Sequence, residues 1–204
     1  EIPLRLVGSE MCIRDRTKGN TKAVLTVEKV GKVDLPAPDI FFGNDKMEVT
    51  DTDIYKSDQA FTQGQMITVT GIDNLNEWWI DPDFFEKQSD GALKFLPING
   101  DYRVTANAVL KYFSVMALKD GKPAKLQDDG TGAIWAIGKG IGKPSVTSSE
   151  VGWEPSKALC LAQVASKKYQ LTLKAGETLK TSGDPEVISF KFFHQNDWGG
   201  EFGN

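Results

Sequence analysis

Apolar and polar side chains alternate every second residue through much of this chain, and that period predicts strands. Tyr169, Leu171 and Leu173 alternate with Lys168, Gln170, Thr172 and Lys174, the pattern of a strand with one buried and one wet face. Tyr102, Val104 and Ala106 alternate with Asp101, Arg103 and Thr105 in the same way. Ile188, Phe190 and Phe192, taken as the inward set, alternate with Ser189, Lys191 and Phe193, and Ile67 and Val69 alternate with Thr68 and Thr70. Residues 22–30, with Val24, Leu25 and Val27, form another β-rich run. No long stretch carries a helical stripe. The helical candidates are one-turn pieces near residues 81–85 and 147–150. Short strands separated by Gly-, Pro- and Asp-rich turns predict an all-β protein of immunoglobulin-like or carbohydrate-binding-module-like β-sandwiches.

A weak repeat suggests two copies of one such module. Trp78-Trp79-Ile80 matches Trp135-Ala136-Ile137, and residues 93–96 match 158–161. Tyr102-Arg103-Val104-Thr105 matches Tyr169-Gln170-Leu171-Thr172, and residues 112–115 match 189–192, in the same order. The expected organisation is a first sandwich over residues 36–127 and a second over 128–204, hinged at the Asp- and Gly-rich stretch 127–132. Residues 17–35 read as the tail strand of a preceding module or a linker. Residues 1–16 lack either period and resemble a translated sequencing adapter, so they read as a non-native scar. The last residues, 197–204, stop without a closing element. The expectation is a fragment truncated at both ends, with its second module incomplete.

Composition narrows the function classes. The 24 Lys+Arg and 28 Asp+Glu give a formal net charge of −4, which disfavours nucleic acid as a partner, because phosphate binding needs a basic face. No apolar run is long enough for a transmembrane helix. Two cysteines, one of them inside the scar, make no disulfide framework. A single histidine, His194, excludes His-rich zinc sites and disfavours a His-dependent triad.

The motifs for catalysis are weak. No nucleophile-elbow pattern is present. Asp81 with Asp83, or Asp128 with Asp129, could supply the paired carboxylates of a glycosidase, but D-P-D and D-D-G more often form turns. The stretch Gly138-Lys139-Gly140-Ile141-Gly142-Lys143-Pro144 departs from a P-loop at both ends, with Ile137 in place of the first Gly and Pro144 in place of the Ser or Thr. Its glycines read instead as a sharp loop after a strand over residues 133–137. Asp-rich loops leave calcium conceivable, but no EF-hand spacing supports it. The reading is of a protein that is not an enzyme and has neither cofactor nor resident metal.

Aromatic residues carry the remaining signal. Five tryptophans are many for this length. Trp78 and Trp135 read as core. Neighbouring strand residues point to opposite faces, so of Trp78 and Trp79 one should meet solvent or a loop. Trp153, in Gly152-Trp153-Glu154-Pro155, and Trp198, in Asp197-Trp198-Gly199-Gly200, lie in turn-like contexts. A loop indole beside amides and carboxylates suits the C–H face of a sugar ring. It also suits a lid folded back over the core.

At these residues the chain resembles a known family. The ordered series Ala133-Ile134-Trp135-Ala136-Ile137-Gly138, Gly152-Trp153-Glu154-Pro155, residues 169–176, and Ile188-Ser189-Phe190-Lys191-Phe192 looks like the tandem modules of SusE/SusF-type outer-membrane lipoproteins of Bacteroides-like bacteria. The resemblance is best over residues 130–204 and weaker over 65–119. It implies a lipid-anchored protein at the cell surface that binds poly- or oligosaccharide without cleaving it, beside an outer-membrane glycan importer. The family's glycine–tryptophan loop falls on Trp153, and the segment after the F-K-F strand falls on His194, Gln195, Asn196 and Trp198. Trp153 and Trp198 are then the expected stacking platforms, with Lys191, His194, Gln195 and Asn196 bonding hydroxyls. The alternative is a structural or adhesive spacer with no glycan site, in which both indoles would be buried.

Overall fold

The computed structural model describes residues 38–181 and 188–202. The expected scar, residues 1–16, and the tail strand, residues 17–35, lie outside these. All described residues fall within one compact unit, Pro36–Asn204.

The protein is all-β and sandwich-like, built of several antiparallel sheets. The first strands are β1 (Phe41–Phe42), β2 (Asp45–Lys46), β3 (Glu48–Asp51), β4 (Ile54–Phe61), β5 (Met66–Ile67) and β6 (Val69–Thr70). After a 3-10 turn at Leu75–Glu77 come β7 (Trp79–Ile80), β8 (Phe85–Lys87), β9 (Leu93–Phe95), β10 (Gly100–Asn107), β11 (Tyr112–Lys119) and β12 (Lys122–Pro123). The remainder holds β13 (Trp135–Gly142), a one-turn helix α1 (Val146–Ser149), β14 (Glu150–Gly152), a 3-10 turn at Pro155–Lys157, β15 (Leu159–Cys160), β16 (Ala162–Ala165), β17 (Lys168–Gln170) and β18 (Ser189–Phe193).

The largest sheet runs β3-β4-β10-β11-β12, with β7 parallel to β11. Its central strand carries the alternation read from sequence: Tyr102, Val104 and Ala106 are buried, and the residues between them are not. Arg103, on the outer face, makes a bidentate pair with its cross-strand neighbour Asp58, both bonds 2.6 Å. Smaller sheets, β2-β1-β6 and β5-β9-β8, close over the inner face. Between them lies an aromatic core of Phe42, Phe61, Phe85, Phe95, Tyr102 and Phe113, in which Trp78 stacks on Phe113 with centroids 4.8 Å apart.

β13 organises the C-terminal half. It pairs with β14 and β15 along one edge and with β18 along the other. Trp135 is fully buried and donates its indole N–H to the Ala124 carbonyl at 3.0 Å. Residues of this half (Trp135, Ile137, Val151, Cys160, Phe193) belong to the same core cluster as the phenylalanines of the first.

The structure corrects several expectations. The glycine-rich stretch after Ile137 is strand, not loop: β13 continues to Gly142. Glycine is required there because neighbouring backbone lies too close. At Gly138, φ is +147°, and a Cβ would collide with the Ser189 carbonyl and Phe190. In β18 the expected inward set is reversed at its end, with Phe193 buried and Ile188 and Phe192 exposed. The predicted strand 168–174 stops at Gln170, because Thr172 turns its backbone N–H to a carboxylate, Asp83. Ile67 and Val69 belong to different sheets. Residues 81–85 form a turn, whereas the helical turn near 147–150 is α1. The strand-by-strand repeat is not a repeat of pairing. β10 and β11 form a long hairpin, but β17 and β18, their sequence counterparts, pair with β16 and β13.

Candidate functional site

The loop after β18 is wound tightly enough to hold an indole outward. The Trp198 N–H bonds the Asp197 carboxylate at 2.7 Å, and the Gln195 amide donates to the Trp198 carbonyl at 2.7 Å. Gly199 and Gly200 have φ of +82° and +65°, a region costly for other residues. They turn the chain back so that the His194 N–H meets the Gly200 carbonyl at 2.7 Å. The Trp198 ring rests edge-to-face on buried Phe193, centroids 6.0 Å apart, yet remains 50% exposed. Trp153 follows β14 at a turn opened by Gly152 (φ +60°) and is 37% exposed. The two indoles lie 6.3 Å apart, centroid to centroid, with planes 27° from parallel. Residues 45 positions apart in sequence thus form one near-parallel aromatic surface.

The other expected contacts lie on the same strand and loop but are partly engaged elsewhere. Lys191 pairs with Glu201 at 2.9 Å, on the surface, and such a pair opens at little cost. His194 is exposed and packs edge-on against Phe202, centroids 4.2 Å apart. Gln195 spends its amide N–H on Trp198, as above. The Asn196 side-chain oxygen is buried without a hydrogen-bond partner. Among the described residues, no side-chain hydrogen bond or aromatic contact links Lys191, His194 or Asn196 to the indole pair.

Of the carboxylates considered for catalysis, Asp81, Asp83 and Asp129 are held in structural contacts. The Asp81-Pro82-Asp83 turn is fixed by Asp83 N–H donating to Asp81 Oδ1 at 3.0 Å and by Phe84 and Phe85 N–H groups donating to the Asp81 carbonyl. Lys143, just beyond β13, reaches both: its Nζ lies 2.8 and 2.9 Å from the Asp81 oxygens and 2.7 Å from Asp83 Oδ2. Asp83 also accepts from Gln170 Nε2, Thr172 N–H and Thr172 Oγ1 at 2.9, 2.7 and 2.6 Å. The Lys143 side chain is only 6% exposed and that of Asp83 only 1%. Burial alone would raise the Asp83 carboxyl, but Lys143 and the Thr172 bonds outweigh it and hold its pKa below the usual value. Burial raises Asp81, with Lys143 opposing. Sequence reasoning singled out both aspartates and Lys143 but missed their association, which no local spacing encodes. Asp129 caps its own turn, accepting from Thr131 N–H and Oγ1 at 2.9 and 2.7 Å. Among the described residues, no group of three or more His, Cys, Asp or Glu side chains converges as metal ligands would.

A cleft of about 440 Å³ opens beside this ion cluster, lined by Trp79, Tyr112, Ser114, Ser149, Ser156 and the floor residue Cys160, among others. Its volume falls within the usual range of small-molecule sites, ~300–1,000 Å³.

Fold and site together define an all-β, sandwich-like protein bearing an exposed indole pair and a separate cleft. The chain belongs to the family described as Domain of unknown function (DUF5125), which matches residues 8–126. A second family, described as Domain of unknown function (DUF5121), matches residues 129–204. The two thus stand in tandem, with the indole pair in the second. Neither a curated protein nor a solved structure matches the chain.

Proposed function

We propose that this protein binds poly- or oligosaccharide without cleaving it, as a lipid-anchored SusE/SusF-type protein of the outer-membrane surface that holds glycan for an importer. The observation that carries the reading is the indole pair. Two large apolar rings stand open to solvent, near-parallel and adjacent, and the loop that carries Trp198 is braced by its own hydrogen bonds. Exposed indoles lose stability by contacting water and gain it when an apolar face covers them. A sugar ring offers such a face, and Gln195, bonded to the Trp198 carbonyl, stands beside it; Lys191, His194 and Asn196, on the same strand and loop, are the further hydroxyl partners this reading assigns. The spacer alternative expects both rings inside the protein, and they are not. A hydrolase needs two carboxylates free in one cleft, whereas Asp81 and Asp83 are consumed by Lys143, Gln170 and Thr172.

One or two stacked rings supply only a few kcal/mol, so each site binds weakly and avidity comes from many copies on one surface. The test is retention of Trp153→Ala and Trp198→Ala in affinity gels cast with a panel of neutral polysaccharides. Each variant should migrate freely through a gel that retards the wild type, with unchanged circular dichroism. Retardation of both variants equal to the wild type, or no retardation of the wild type by any glycan, overturns the assignment.

A further inference from the structure

We propose that the cleft beside Trp79 and Tyr112 is a second ligand site, for an uncharged, hydroxyl-rich ring compound such as a single pyranoside unit. It is distinct from the indole pair and does not require that pair to bind anything.

The register places the residues. Trp79 of β7 sits directly beside Tyr112 of β11, which sits opposite Asn107 of β10. Their chain neighbours Ile80, Phe113 and Ala106 are buried in the core, so Trp79, Tyr112 and Asn107 share the outer face. Farther along β11 the same face carries Ser114 and Met116. The outer face of such a sheet is normally polar and solvated. Here it carries an indole, a phenol and a thioether, with Leu110 exposed at the rim.

The opposite wall is rich in hydroxyls. Ser148 and Ser149 close α1, and Ser156 and Lys157 form the next turn. The oxygens of Ser145, Ser148 and Ser149 form a chain with 2.9 and 3.2 Å separations in which either partner can donate. Hydroxyls that can both donate and accept match ligand hydroxyls, which do the same.

Electrostatics select a neutral ligand. Both cations on the lining are already paired: Lys143 with Asp81 and Asp83, and Lys157 with Glu154 at 2.8 Å. An anionic ligand finds no unshared cation, since Lys143 is buried between two carboxylates and the surface pair of Lys157 and Glu154 carries no net charge, and a cationic one would meet only Asp81, both of whose oxygens already accept from Lys143.

The experiment uses the full chain labelled with 5-fluorotryptophan, its signals assigned by single Trp→Phe variants and followed by fluorine NMR. The probes are methyl glycosides of neutral hexoses, N-acetylhexosamines and pentoses, with inorganic phosphate as the anionic arm. The expected result is a saturable shift of the Trp79 signal with at least one neutral glycoside. It should persist in the Trp153→Ala/Trp198→Ala double variant. Ser114→Phe and Ser156→Phe fill the cleft from opposite walls at exposed positions, and each should weaken the response at least about tenfold. A Trp79 signal unmoved by every neutral glycoside, moved only by phosphate, or moved equally in the filled variants overturns the proposal. Failure of the indole-pair reading shows separately, as unmoved Trp153 and Trp198 signals.

Discussion

Replacing Lys143 by Met tests how the two halves of the unit are joined. Asp81 and Asp83 come from the turn after β7, Lys143 from the end of β13, and Gln170 and Thr172 from β17 and just beyond. Methionine keeps most of the length and apolar volume of the lysine stem but removes the charge. Two carboxylates then remain in a site where the Asp83 side chain is almost wholly buried. Breaking a buried pair in this way costs about 3–5 kcal/mol, because the surviving charge is uncompensated. For a unit of this size ~1 kcal/mol corresponds to about 2–4 °C, so the melting temperature should fall by roughly 6–20 °C at neutral pH. The pH dependence carries its own sign. Without the ammonium both folded-state carboxyls rise above their unfolded values. A raised carboxyl stabilises the fold below its unfolded pKa and loses that contribution as pH rises through the folded one. The deficit of the variant is therefore largest at neutral pH and shrinks on acidification. The wild type behaves oppositely at Asp83, whose lowered pKa makes its contribution disappear as pH falls through the folded value, with raised Asp81 partly offsetting. Calorimetry of both proteins between neutral and mildly acidic pH measures this. A variant melting within about 2 °C of the wild type, or a deficit that grows on acidification, refutes the reasoning.

Two other outcomes follow from local geometry. Gly138→Ala should destabilise by at least about 1–3 kcal/mol, since its backbone region is strained for any Cβ and the new carbon meets the Ser189 carbonyl; unchanged chemical denaturation would show that β18 can move aside. Burial pushes the Cys160 thiol up to about 12, so in a Cys12→Ser background iodoacetamide should leave the folded chain unlabelled at mildly alkaline pH and label it once unfolded.

The indole pair shows how far local signals reach. Gly152 before Trp153, and Gly199 and Gly200 after Trp198, mark turns that push a ring outward, and these were legible residue by residue. That the two turns meet was not. The meeting depends on β14 and β18 packing on opposite edges of β13, a choice made by side chains distant in sequence. The ion cluster fails to announce itself for the same reason. D-P-D is a turn signal, and a lysine after a glycine-rich stretch is an ordinary surface residue, until the fold brings the ends of β7 and β13 together.

The alternation of Tyr102, Val104 and Ala106 determined by itself that this is a β protein and which face of β10 is buried, because a strand must place successive side chains on opposite sides. Turn residues likewise marked the bends at Gly152 and at Gly199 and Gly200. Tertiary structure alone decided that β13 runs on through its glycines, which faces turn inward in β18, and that Lys143 meets two aspartates. Each of those depends on how closely another strand approaches, and closeness between segments far apart in the chain is set by packing of the whole core rather than by any local pattern.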